Sequence, residues 1–258
     1  MRRGCVIAWM AAMLAAAAVR AGPSAEEMGR ALARLVSLTD NHIQFMLEAV
    51  SALADSPEVQ SGDWERIRPL MAQLESYAVE CVPWFALPDG SYYTPDKGLT
   101  DQNLKDREYF PDLMAGRSVN GPLVVSKSTG RKSVIVAVPV WREGTIIGAL
   151  GASVFLDDLS RQVRNELALP EDWIFFALNP DGRTTLNFVP ERVFLDPRDQ
   201  GSPSMSAAMD EILETGTGEV SYEFDGRMRH VLFDTSPLTG WRFAVGTTEP
   251  TPLPTPGD

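Results

Sequence analysis

Phe85-Ala86-Leu87-Pro88-Asp89-Gly90 returns further along the chain as Phe176-Ala177-Leu178-Asn179-Pro180-Asp181-Gly182. Each copy is a short apolar run closed by Pro-Asp-Gly, a turn in which glycine supplies a positive φ. A tryptophan precedes each copy, at Trp84 and Trp173. Downstream of each lies a pair of alternating apolar stretches split by an acidic residue and glycine. Ser133–Trp141 and Thr145–Phe155 flank Glu143-Gly144; Gly218–Phe224 and Met228–Phe233 flank Asp225-Gly226. Such a dipeptide between alternating strands is a strong hairpin signal. Trp241–Thr247 reads as a closing strand. Repeats of about 75–80 residues are duplicated domains rather than solenoid units. The chain therefore predicts two similar α+β lobes with antiparallel sheets, 82–157 and 171–248. Residues 158–170 join them as a linker that begins helical.

Upstream, residues 22–81 form a helical region. Leu32, Leu35, Val36, Leu38, Ile43, Phe45, Met46, Val50 and Leu53 recur at helical spacing with no proline between them, which predicts one long amphipathic helix over 24–55. Ser56-Pro57 breaks it. A second helix is expected from Trp64 to about Glu80, with Asp63 as its cap and Leu70, Met71, Leu74 and Tyr77 turned inward.

The two ends carry different signals. Arg2 and Arg3 precede an apolar run, Val6–Val19, of about 14 residues, short of the roughly 20 that a membrane-spanning helix needs. Val19-Arg20-Ala21 then places small residues where signal peptidase requires them, so residues 1–21 read as a cleaved secretory signal. The alternative is an uncleaved anchor formed by residues 6–19. Cleavage predicts a periplasmic or secreted protein. Residues 249–258 form a Pro-rich tail that can neither pair as strand nor continue as helix.

The full chain of 258 residues has a formal charge of −12, and removal of three arginines with residues 1–21 lowers it to −15. Nucleic acid and anionic membranes both require a basic face, so neither is expected as a partner. One cysteine, Cys81, remains after cleavage, which excludes an intrachain disulfide. His42 and His230 are far apart in sequence, and no metal site or cofactor is expected. The sequence holds no nucleophile elbow, no His-Glu-x-x-His, no phosphate-binding glycine loop and no Cys–His pair. It does not read as an enzyme.

Several stretches occur in the order of a known family. They are Leu53–Asp63 after the long helix, Asp106-Arg107-Glu108-Tyr109-Phe110, Pro122–Gly130, Ala137–Val140, Gly148–Leu156 and Thr239-Gly240-Trp241. Together, over about 220 residues, they resemble the double Cache family of extracytoplasmic sensor domains, whose two lobes have a PAS-like fold behind a long N-terminal helix. Arg107-Glu108-Tyr109-Phe110 is similar to that family's Arg-x-aromatic-aromatic ligand motif. The resemblance implies a ligand in the first, membrane-distal lobe, touched by Arg107, Tyr109 and Phe110, with a pocket strand at Gly148–Leu156. Amino-acid-binding members carry an Asp on that strand for the ligand ammonium, and Ser153 aligns with it here. A hydroxyl does not offset a buried ammonium.

The residues themselves describe an anion receptor. Arg107 offers a planar fork that holds a carboxylate in two parallel hydrogen bonds. Tyr109 and Phe110 supply walls, and Ser126, Lys127, Ser128 and Thr129 form a polar run before the strand at Ser133. Each has a plainer reading: Arg107 pairing at the surface with Asp106, Glu108 or Asp112, Lys127 as a solvated lysine, and Tyr109 and Phe110 as core. Tyr92 and Tyr93 alternate on one strand, and Tyr93 is taken as the pocket residue. Met205 and Met209 read as helix packing in the second lobe, and Asp157-Asp158 as a helix start.

The expected function is an exported, stand-alone Cache-type sensor that binds a small carboxylate in its first lobe and reports to a separate signalling partner. The alternatives are a structural or interaction module that binds nothing small, and a membrane-anchored receptor if the signal stays on. The long helix suits a parallel homodimer, as the resemblance implies, and a monomer equally.

Overall fold

A computed structural model describes residues 22–74 and 79–249. Residues 1–21, expected as a secretory signal, residues 250–258 of the expected proline-rich tail, and Tyr77 lie outside the described residues. Helix α1 spans Ala25–Ala54. Its start is closed by a capping box: Glu27 N–H donates to Ser24 Oγ, and Glu27 Oε2 accepts from Ser24 N–H. Thirty residues at 1.5 Å each give a rod of about 45 Å, long enough to lie across both sheets. Leu32, Leu35, Ile43, Met46 and Val50 are buried along one side. Phe45, which shares the apolar spacing, falls on the outer face and is 51% exposed.

A short helix α2, Pro57–Gln60, leads to α3, Trp64–Leu74, where Asp63 Oδ1 accepts from the N–H of Glu65. The expected run to Glu80 is not realised: Glu80 lies outside any helix, and its carbonyl accepts from Phe155 N–H at the head of the first sheet.

The first sheet contains β1 (Cys81–Ala86), β2 (Ser91–Thr94), β3 (Gly98–Asn103), β4 (Val119–Val125), β5 (Lys132–Arg142) and β6 (Thr145–Phe155), with helix α4 (Phe110–Met114) between β3 and β4. Its order is β3-β2-β1-β6-β5-β4, and every pairing is antiparallel. Helix α5, Leu156–Leu167, crosses to the second sheet. The segment expected as a linker is thus mostly a packed helix, with Leu159, Val163 and Leu167 buried. The second sheet holds β7 (Trp173–Leu178), β8 (Thr184–Asn187), β9 (Gly218–Phe224), β10 (Arg227–Thr235) and β11 (Arg242–Thr248), in the order β8-β7-β11-β10-β9, again antiparallel. Helix α6, Pro203–Thr215, covers it. Both long hairpins turn through two residues of positive φ, Glu143-Gly144 and Asp225-Gly226.

Apart from the extra edge strand β3, the two sheets have one topology. The duplication is real, but the sequence echo is one residue out of step. The turn at Leu87–Gly90 closes through Gly90 N–H to Leu87 O, and that at Asn179–Gly182 through Gly182 N–H to Asn179 O. Leu87 therefore corresponds to Asn179, and Trp84 to Phe176. A slip of one residue changes the face of the sheet. Phe85 and Phe175 point toward α1, and Trp84 and Phe176 point away.

This alternation makes three cores. One, against α1, α3 and α5, is shared by both sheets and includes Phe85, Val136, Val154, Phe175, Phe243 and Val245. Each buried side chain of this size contributes about 1.5–3 kcal/mol. The opposite faces carry separate clusters, Trp84, Tyr92, Tyr109, Phe110 and Ile135 in the first lobe, and Phe176, Met205, Met209, Tyr222 and Phe224 in the second.

Candidate functional site

The segment between β3 and α4 folds back over the outer face of the first sheet. Leu104 N–H donates to Gly90 O at 2.8 Å, Arg107 N–H to Leu104 O at 2.9 Å and Phe110 N–H to Arg107 O at 2.9 Å. These turns fasten the Arg107 motif to the Pro-Asp-Gly turn. On the far side, Ser126 N–H to Arg131 O and Gly130 N–H to Ser126 O, both 2.8 Å, shape the loop that carries Ser126, Lys127 and Ser128. Between the two segments and the sheet lies a small cavity of about 10 Å³.

Arg107, Tyr109, Ser126, Lys127 and Ser153 all line this cavity. Arg107 donates through Nη2 to Val125 O at 2.6 Å, while its Nε is buried with no acceptor among the described residues. Among the described residues it takes no carboxylate partner: Asp106 is held by Lys127 and Asp112 by Arg117. Lys127 Nζ donates to Asp106 Oδ1 at 2.5 Å and to Asn103 O at 2.7 Å, so the lysine is a clamp on the Arg107 segment as well as a wall. Burial pushes the Tyr109 phenol well above its ordinary range, partly opposed by the Arg107 guanidinium beside it. The hydroxyl therefore stays a donor at any physiological pH. Ser126 and Ser153 are each 6% exposed. Among the described residues no Asp or Glu lines the cavity.

Two of the expected site residues are placed elsewhere. Tyr93 faces the α1 side and stacks on Trp64, ring centroids 4.8 Å apart. The register pairs Phe85 with Tyr93 and Ala86 with Tyr92, and residues directly opposite share a face. Tyr92 is therefore the tyrosine in the cavity wall. Phe110, 3% exposed, packs in the core beneath α4 and does not line the cavity. Trp84 and Ile135 line it without having been singled out. Their signal was present in the alternation of β1 and β5, once the turn fixes which parity faces outward.

A larger hollow of about 800 Å³ lies between the lobes. It is lined by Asp106, Asp112 and Asp181 as well as Arg107 and Arg183, and is an open groove of mixed charge rather than an enclosed receptor. Among the described residues no cluster of His, Cys, Asp and Glu fits a metal ion, and no helix is long and apolar enough to cross a membrane.

No protein-family model matches this sequence, and no curated protein does. Solved structures do match in fold. The ligand-binding domain of the Campylobacter jejuni chemoreceptor Tlp3, crystallised with 4-methylisoleucine, is 13% identical over 86% of this chain and 90% of that one, with a TM-score of 0.65. The ligand-binding domain of the Pseudomonas aeruginosa amino acid chemoreceptor PctB, in complex with L-Arg, is 16% identical over 87% of this chain and 94% of that one, with a TM-score of 0.67. An extracellular ligand-binding receptor from Desulfohalobium retbaense is 14% identical with a TM-score of 0.69, and the match covers 87% of this chain but 41% of that longer one. The chain has the double Cache fold of such chemoreceptor sensor domains: a long helix followed by two antiparallel-sheet lobes.

Proposed function

We propose that the protein is an exported sensor module whose first lobe binds a small carboxylate and which reports occupancy to a separate signalling partner. The observation that carries this reading is the buried, unmet Nε of Arg107 in a cavity that holds two cationic side chains and no acid. A buried donor without an acceptor costs about 1–3 kcal/mol, and a carboxylate removes that cost. A guanidinium presents its donors in the plane that a carboxylate fits. At about 10 Å³ the cavity has room for about one water, so a ligand of acetate to lactate size requires the Arg107 and Lys127 segments to part.

The neighbouring structures with amino acids bound support a small-molecule role. The lining here favours a ligand without an ammonium. Ser153 and its surroundings offer hydroxyls to an amine but no compensating charge, and an unpaired buried ammonium is strongly disfavoured. Calorimetry of the mature protein with lactate and with alanine, which differ in hydroxyl against ammonium, tests the reading. We expect lactate to bind more tightly. Preference for alanine overturns the assignment of Ser153, and heat from neither, with acetate and pyruvate also silent, leaves a module that binds nothing small in this lobe.

A further inference from the structure

The second lobe holds a cavity of about 120 Å³ on the same face of its sheet that bears the small cavity in the first lobe. With the two Pro-Asp-Gly turns in register, Trp84 corresponds to Phe176 and Tyr92 to Thr184, and all four line their cavities. The walls of the second cavity are mostly apolar, with Phe176, Phe188, Met205, Met209 and Phe224 contributing. Met205 and Met209 are thus core residues of α6 and cavity walls at once.

Two guanidiniums reach this apolar space. Arg192 ends the 3-10 turn Pro190–Arg192, and Arg229 stands on β10. Their Cζ atoms lie 4.5 and 4.3 Å from the centroid of the Phe224 ring. The two cations are therefore within about 9 Å of each other, where like charges beside an apolar wall repel. No Asp or Glu lines the cavity, and neither arginine is ion-paired among the described residues. The Nε of Arg229 is buried and has no acceptor among the described residues. Tyr222, next to Arg229, is buried and its phenol is pushed up by burial, so it too remains a donor. An enclosed, mainly apolar space with a few convergent polar groups is the usual form of a small-molecule site.

We propose that the second lobe is a second, independent binding site, and that it takes an organic monoanion: a carboxylate carried on an aromatic or branched apolar body. The carboxylate meets Arg229 Nε and the Arg192 guanidinium, and the body packs against Met205, Met209 and Phe176. The two sites divide ligands by size, the first taking the smallest acids and the second those with an apolar group.

Phenylacetate and its neutral amide, phenylacetamide, test this on the mature protein with ¹³C-methyl methionine. The methyl signals of Met205 and Met209, assigned from Met205→Leu and Met209→Leu, are expected to shift on titration with phenylacetate and to stay in place with phenylacetamide. Met28 and Met46 on α1 report any nonspecific effect. Arg229→Gln is expected to weaken phenylacetate binding about tenfold or more, and Arg192→Gln serves in its place if that variant does not fold. Unmoved Met205 and Met209 signals at saturating phenylacetate overturn the proposal, as does an equal response to the amide. The readout is confined to the second lobe, so its outcome is separate from that of the lactate titration.

Discussion

Gly151 lies opposite Trp84 across the β1–β6 pair, directly behind the first-lobe cavity. A methyl carbon added at Gly151 would meet Trp84 Cζ2 at 2.4 Å, Trp84 Cε2 at 2.8 Å and Ala137 Cβ at 2.7 Å. Carbon atoms sit comfortably at about 3.5–4.0 Å. The nearest neighbours are an indole ring 3% exposed and a side chain fully buried in the same sheet. Neither can swing away freely, so the ring must shift by about 1 Å toward the cavity it lines. Overpacking of this kind costs about 1–3 kcal/mol. At about 2–4 °C per kcal/mol for a protein of this size, Gly151→Ala should lower Tm by about 2–12 °C. Scanning calorimetry measures that loss. Lactate affinity, measured by titration on the folded variant, should fall with it, because the displaced ring takes up ligand volume. A Tm and an affinity both equal to those of the parent would show that Trp84 is not packed against Gly151 and that the cavity wall has been misplaced.

Tyr92→Ala should weaken lactate binding several-fold, whereas Tyr93→Ala should lower Tm through loss of the stack on Trp64 and leave affinity unchanged; the reverse pattern would invert the strand's faces. Asp40 is half-buried, and desolvation raises its pKa despite the hydrogen bond from Ser236 Oγ at 2.8 Å. Its raised folded value means that its favourable contribution is present at low pH and is lost as pH rises through that value. Asp40→Asn should therefore be the more stable form at pH 7 and lose that advantage near pH 3–4, as read from Tm against pH. Arg131 donates to Asp157 at 2.6 Å and Asp158 at 2.5 Å and lies over the Phe155 ring. Burial opposes the charge on Asp158, but Arg131 and Arg161 outweigh it and hold the carboxyl below its usual range. Arg131→Met should lower Tm by several degrees at neutral pH, with the gap closing as pH falls through that depressed value; a gap independent of pH would refute the ionic part of this account. Gly29→Ala adds a methyl to open space within α1 and should raise stability by about 1 kcal/mol, visible as a small rise in Tm.

The sequence carried the architecture because its strongest signals are local and periodic. The apolar stripe of α1 and the two acidic-Gly hairpins each fix an element without reference to anything distant. Face assignment was weaker. The repeated Phe-Ala-Leu drew attention to identical letters, while Asn179 inserts one residue before the second turn and moves each of those letters to the other side of its strand. Tyr93 was misassigned for the same reason: parity on a strand is decided by its register with a partner, here Phe85, and no single-strand pattern contains that information. The first cavity was legible because Arg107, Tyr109, Ser126 and Lys127 come from two short stretches with evident polar chemistry. The second was not. Its walls come from many separate elements, and Arg192 and Arg229 read in isolation as two more surface arginines in an acidic chain. Only the fold brings them against one phenylalanine.

The most direct test of the account is the change in lactate affinity of the mature protein on Arg107→Ala, measured by calorimetry with Tm confirming that the variant is folded. A charge-assisted hydrogen bond to the ligand contributes about 1.5–3 kcal/mol. At 1.4 kcal/mol per decade, its loss should raise Kd about tenfold or more. A folded Arg107→Ala protein that binds lactate as tightly as the parent would remove Arg107 from the site and with it the carboxylate receptor in the first lobe.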